Sequence, residues 1–141
     1  MKEQMNVLDE LNKGACMGMD AIDFIIDKVN DEEFRKILKE QYNDYENISK
    51  KIHELYPDNE KEPHETNVMT KAMTWYGIEM KTMTDKSSSK IAELLMQGTN
   101  MGIIEGRKLL NNKDINKEVN AIIDEYVTMQ ENAVEKLKQF L

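Results

Sequence analysis

The chain has 141 residues, a formal net charge of −8 and a single cysteine, Cys16. Its length predicts one domain over residues 1–141 with its own hydrophobic core. The single cysteine allows no intramolecular disulfide and is typical of a reducing compartment. The negative charge and the absence of a basic cluster argue against binding to nucleic acid or to anionic membranes, because nothing would release phosphate counterions. No apolar run approaches the roughly 20 residues of a membrane span, and no apolar signal region opens the chain, so we expect a cytoplasmic protein.

Apolar residues recur at alternating steps of three and four, which is the spacing of one face of an α-helix. The pattern predicts a first helix over about residues 4–29 and a second over about 31–56. Asn30 and Glu33 read as the capping box of the second helix. Almost no loop separates the two helices, so we expect an antiparallel hairpin.

The rest of the chain predicts three more helices and no strand. A polar loop over residues 57–64 precedes a third helix over about 64–84, which has a broad apolar face. A serine run that begins at Ser87 caps a fourth helix over about 87–110, and a fifth covers about 114–140. The expected fold is all-α, an antiparallel four-helix bundle with an additional helical crossover, or five helices in total.

A hairpin, a long crossover and a second hairpin form the connectivity of ferritin-like bundles. The whole chain resembles this superfamily, and within it the small bacterial helical bundles of the DUF2383 and spore-coat-like groups, by architecture rather than by a motif. Classical members hold two iron ions with Glu residues and Glu-x-x-His motifs. Here Lys50 and Lys61 stand three residues before His53 and His64. No metal ligand is therefore transferred, and the resemblance implies a member without that iron site.

Three glycines spaced by four, Gly98, Gly102 and Gly106, interrupt the fourth predicted helix. Each costs about 1 kcal/mol relative to alanine within a helix, so the spacing indicates that something approaches the backbone closely. A functional interpretation is a ligand or cofactor that lies against the bare backbone at Gly98 and Gly102.

Close helix packing is the interpretation that we favour for these glycines. In one form, Gly14 and Gly18 of the first helix face Gly98 and Gly102 of the fourth. In another form, the space is filled by Trp75 or by a tyrosine of another helix.

Several polar residues fall in the core registers of the predicted helices, namely Gln41, Tyr45, Glu79, Glu105 and Tyr126. Buried carboxylates must be paired, hydrogen-bonded, metal-bound or protonated. One interpretation of these residues is a polar pocket that binds a small ligand or a metal. The interpretation that we favour is that they lie at the bundle surface or form a network in which every polar group is hydrogen-bonded. From its register, Glu105 is expected to be partly buried, with a hydrogen-bond partner on another helix.

The remaining patterns argue against an enzyme without excluding one. Most of the eleven methionines lie on apolar stripes, where they fill a core, rather than in the exposed clusters typical of copper sites. No Gly-x-Ser-x-Gly elbow, phosphate loop or dinucleotide fingerprint is present. We therefore predict a non-catalytic bundle without a cofactor that acts by self-association, as a homo-oligomer, or by binding a partner protein. The alternative is a carboxylate-lined pocket for a metal or small ligand, with a redox or storage role.

Overall fold

The structure is a computed structural model that describes residues 2–55, 79, 87–112 and 114–141. These residues are all-α and form four long helices: α1 (Lys2–Ile25), α2 (Glu32–Leu55), α3 (Ser88–Leu110) and α4 (Lys117–Leu137). Short 3-10 turns follow α1 over Ile26–Lys28 and α4 over Lys138–Phe140.

The fourth and fifth predicted helices correspond to α3 and α4. The third predicted helix, at about 64–84, lies outside the described residues apart from Glu79, which is helical. An all-α class with four helices is therefore confirmed, whereas the fifth helix stays a prediction. Within the described ranges, no helix has a stretch both long and apolar enough to cross a bilayer.

Short polar side chains begin three of the helices. Asp31 Oδ1 accepts a hydrogen bond from the Phe34 amide at 3.0 Å, and this bond caps α2. Ser87 caps α3 and Asn116 caps α4 in the same way, through the amide three residues further on. The predicted cap at Asn30 is therefore wrong by one residue. Asp31 is the residue that immediately precedes the first helical turn, where a side-chain oxygen reaches the free amides.

α1 and α2 form the expected antiparallel hairpin. Near the middle of α1, Asn12 Oδ1 accepts a hydrogen bond from Ser49 Oγ at 2.6 Å. Further along α1, Gly18 lies against Tyr45, which comes earlier in α2. From the first contact to the second, the position moves towards the C-terminus of α1 and towards the N-terminus of α2. The two helices therefore run in opposite directions.

α1 runs parallel to α4. The Gln4 side chain donates to the Asp114 carbonyl at 2.6 Å and accepts from the Asn116 amide at 2.9 Å, just before α4 begins. Ten residues later in each helix, Gly14 of α1 lies against Tyr126 of α4. Gln4 is 9% exposed, so both ends of its amide are used in a nearly dry position.

α4 runs antiparallel to both α2 and α3. Between α2 and α4, Lys51 pairs with Glu125 at 2.6 Å and Glu40 pairs with Lys136 at 3.7 Å. Between α3 and α4, Gly102 contacts Gln130 and Gly106 contacts Val127. In both sets the residue number rises on one helix as it falls on the other. α2 and α3 therefore run in the same direction, like α1 and α4.

The core lies along the axis that the four helices share. Its largest fully buried apolar side chains are Leu8, Leu11, Met19, Ile25, Phe34, Leu38, Ile48, Ile52, Ile91, Ile123 and Leu137. Each such side chain contributes about 1.5–3 kcal/mol through burial. The ring of Phe34 stacks on that of Phe140, with centroids 4.4 Å apart. This contact fixes the C-terminal turn over the start of α2.

Candidate functional site

Two tyrosines and a glutamine meet inside the bundle. Tyr45 of α2 is 5% exposed, and Tyr126 and Gln130 of α4 are 4% and 1% exposed. The two rings lie 6.3 Å apart at 57° to each other, and the Tyr45 hydroxyl donates to Gln130 Oε1 at 3.4 Å. We refer to these three residues as the tyrosine–glutamine cluster.

The α1 glycines provide the space for the two tyrosine rings. A Cβ atom added at Gly18 would lie 2.5 Å from the Tyr45 ring carbons Cε2 and Cζ. A Cβ atom added at Gly14 would collide with the Tyr126 hydroxyl and lie 3.2 Å from its Cζ. Tyrosines of other helices therefore fill the space beside the α1 glycines, whereas the prediction placed a tyrosine or Trp75 beside Gly98 and Gly102. Trp75, the other predicted occupant, lies outside the described residues.

The α3 glycines face side chains of α4. A Cβ atom at Gly102 would collide with Gln130 Oε1 and lie 2.9 Å from its Cδ, while one at Gly106 would lie 2.5 Å from Val127 Cγ2. Gly98 is half-buried. The prediction that glycines of α1 face those of α3 is thus wrong at Gly102, because the Gln130 side chain lies in that position. At Gly102 the space opposite the backbone is filled by protein, which also leaves the predicted ligand without room there.

Tyr126 is uncharged at physiological pH. Burial raises the pKa of Tyr126 far above its ordinary value, because the phenolate would be desolvated. The nearby Gln130 side chain lowers this pKa by less, and the charge of Glu105 raises it. Gln130 Nε2 has no hydrogen-bond partner in the described part of the chain. The three side chains of the cluster thus fill the space beside Gly14, Gly18 and Gly102.

Glu105 does not lie in the core, contrary to the prediction. Its side chain is 72% exposed and pairs with Lys108 of the same helix at 3.6 Å. The buried face of α3 includes Gly106, and each helical step turns by about 100°, so the residue before Gly106 points away from that face. Glu79 is half-buried, and the residues next to it in sequence lie outside the described ranges. The predicted pocket that contains both carboxylates therefore loses one of them.

Gln41 lines an open groove between α2 and α4 with a volume of about 450 Å³. Three carboxylates also line it, from Asp44, Asp124 and Glu125. Burial raises the pKa of Asp44, and the nearby Lys136 lowers it by less. In the described ranges, Gln41 Nε2 has no partner, and no group of three or more His, Cys, Asp and Glu residues could hold a metal ion. The groove is therefore acidic but offers no metal centre among these residues.

Two large apolar side chains are exposed on adjacent turns of α3. Met101 is 62% exposed and Ile104 is 54% exposed. Glu93, Gln97 and Lys108 are exposed as well and continue the same face at steps of three and four. We refer to these five residues as the α3 stripe.

The sequence interpretation missed the α3 stripe because it assigned methionines to the core. Met19 is buried, but Met5 and Met101 are exposed. A signal was available, since Met101 and Ile104 lie on the side of the helix opposite Gly102 and Gly106. If the glycines pack inward, apolar residues on the other side must face solvent or a partner.

No protein-family model, curated protein or solved structure matches this chain. Among the described residues, two surfaces are candidates for binding: the acidic groove between α2 and α4, and the α3 stripe.

Proposed function

We propose that this chain is a non-catalytic helical bundle of the cytoplasm that binds a protein surface, its own or a partner's, through the α3 stripe. The main support for the proposal is the exposure of the Met101 and Ile104 side chains. Apolar side chains on adjacent turns of one helix form the kind of face through which helices dock onto other proteins. The tyrosine–glutamine cluster does not compete with this role, because its space is filled and Tyr126 is uncharged.

The helix directions support a ferritin-like bundle as the scaffold of this function. α1 and α2 are antiparallel, α3 and α4 are antiparallel, and α2 and α3 share one direction. The connection from Leu55 to Ser88 must therefore join opposite ends of a bundle that is about 35 Å long. A single long crossover of this kind is the connectivity of ferritin-like folds, and we propose that the predicted third helix supplies it.

The second candidate function is the binding of a small organic cation in the groove between α2 and α4, where the described residues offer no metal centre. The carboxylates of Asp44, Asp124 and Glu125 favour it, and they replace the predicted pocket that relied on Glu105. Glu125 is already paired with Lys51, which weakens the attraction. Isothermal titration calorimetry of the purified protein with a small polyamine tests this candidate, and saturable, stoichiometric binding would favour it over the α3 stripe.

Photo-crosslinking tests the proposed function. A photoreactive amino acid is placed at Ile104 and, as a control, at Asn43, which is exposed on α2 outside the stripe. In cells that produce the protein at its natural level, or in purified protein at about 1 mM, we expect a protein adduct from position 104 and none from position 43. The mass of the adduct distinguishes a second copy of the chain from another protein. No adduct from position 104 in either sample, or equal yields from both positions, would contradict the proposal.

A further inference from the structure

We propose that the occupant of the α3 stripe is the same stripe of a second copy, packed antiparallel about a two-fold axis. This inference rests on the proposed function and names the partner of that surface. The exposed apolar pair Met101 and Ile104 lies in the middle of the stripe, and a charged residue lies towards each end. A surface with that pattern can be complementary to itself.

The end charges complement each other only in the antiparallel arrangement. Glu93 and Lys108 lie roughly 22 Å apart along α3. When a second helix is centred midway between them and runs the other way, each Glu93 faces the Lys108 of the second copy, and Gln97 faces Ile104. A parallel arrangement places like charges against each other and aligns the helix dipoles unfavourably.

Both end charges already take part in pairs within α3. Glu93 pairs with Lys90 at 2.9 Å, and Lys108 pairs with Glu105 at 3.6 Å. Side chains in these pairs are between 48% and 72% exposed, so water screens them strongly. Exposed pairs of this kind hold a side chain only weakly, and both charges remain able to reach a second copy.

The area of the α3 stripe sets the strength of the association. A stable complex buries about 800 Å² on each partner, which is more than one face of a single helix supplies. We therefore expect a reversible dimer with a dissociation constant between about 10 μM and 1 mM. Because charge pairs contribute to it, added salt should weaken it.

Charge reversal tests the antiparallel arrangement in the full chain by analytical ultracentrifugation up to about 1 mM protein. We expect Glu93→Lys and Lys108→Glu each to weaken the dimer about tenfold, since each change places two like charges opposite each other. The double variant should recover most of the wild-type affinity. Glu54→Lys, at an exposed site of α2, is the control and should leave the affinity unchanged. Far-UV circular dichroism checks that each variant is folded.

Three results would overturn the inference, and only the first of them leaves the α3 stripe without its proposed occupant. A wild-type protein that stays monomeric at 1 mM overturns it, and the crosslink from Ile104 then decides the proposed function separately. A dimer lost in Met101→Asp but indifferent to both charge reversals overturns only the antiparallel arrangement. A double variant that dimerises more weakly than either single variant also overturns the antiparallel arrangement, because Glu93 and Lys108 then do not face each other.

Discussion

The ring of Tyr45 on α2 lies directly over the backbone of Gly18 on α1, where a Cβ atom would be 2.5 Å from two ring carbons. A buried ring cannot move aside as a flexible chain end can. We therefore expect Gly18→Ala to lower the free energy of unfolding by about 1–3 kcal/mol, although alanine gains about 1 kcal/mol in helix propensity. Urea unfolding measures the change. The same substitution in a Tyr45→Leu background is the control and should cost less, whereas a more stable Gly18→Ala variant would contradict the packing described.

Gly102 provides a sharper test, because its neighbour can be removed. A Cβ atom there collides with the end of Gln130, which must then move and give up its hydrogen bond with Tyr45. Leaving these buried groups unpaired costs about 1–3 kcal/mol, and alanine recovers about 1 kcal/mol through helix propensity. We therefore expect Gly102→Ala to destabilise the fold by about 1 kcal/mol net, and Gly102→Leu by about 1–3 kcal/mol.

In a Gln130→Ala background the collision at Gly102 is absent. There Gly102→Ala should be stabilising by up to about 1 kcal/mol, through helix propensity alone. Chemical denaturation of the two single variants, the double variant and the wild type gives both differences. A stabilising Gly102→Ala in the wild-type background would mean that α3 has room at this position, and the account of its glycines would fail.

The helices could be predicted from sequence because their signals are local. The three-and-four spacing of apolar residues located the helices now seen as α1 to α4, and the serine run predicted the cap at Ser87. The short connection between α1 and α2 also sufficed to predict their antiparallel hairpin. Such features depend on neighbouring residues and hardly on the rest of the chain.

Side-chain placement within the helices was predicted less well. Gly102 and Glu105 were assigned to one inward stripe, yet three residues turn a helix by about 300°, and Glu105 lies outside the buried face. Which large residue fills the space beside each glycine depends on contacts between distant segments, such as Gly14 with Tyr126. No local pattern encodes such a contact, so the tyrosine–glutamine cluster became visible only in the structure.

Tyr126 should make the protein less stable at alkaline pH. Its pKa is raised in the folded state, whereas in the unfolded chain it has the ordinary value of 10.0. The folded protein therefore retains a proton that the unfolded chain loses. This contribution to stability is complete below pH 10 and falls above it by up to about 1.4 kcal/mol per pH unit.

Urea unfolding between about pH 8 and pH 11 checks the Tyr126 prediction. Tyr126→Phe removes the titrating group, so its stability should fall less steeply above pH 10 than that of the wild type. The difference in the free energy of unfolding between the two proteins at each pH cancels the contribution of the other tyrosines. Parallel curves for the two proteins would mean that Tyr126 ionises equally in the folded and unfolded states.

Hydroxyl-radical footprinting of the methionines tests most directly whether the α3 stripe is a binding surface. In dilute purified protein, Met101, at 62% exposed, should be oxidised faster than Met5, at 39% exposed, and Met19 should be protected. In purified protein at about 1 mM, or in cells that produce the protein, an occupant of the stripe should slow the oxidation of Met101 relative to Met5. Mass spectrometry gives this ratio in all three samples. A ratio that is equal in dilute protein, in concentrated protein and in cells would contradict the claim that the α3 stripe binds a protein surface.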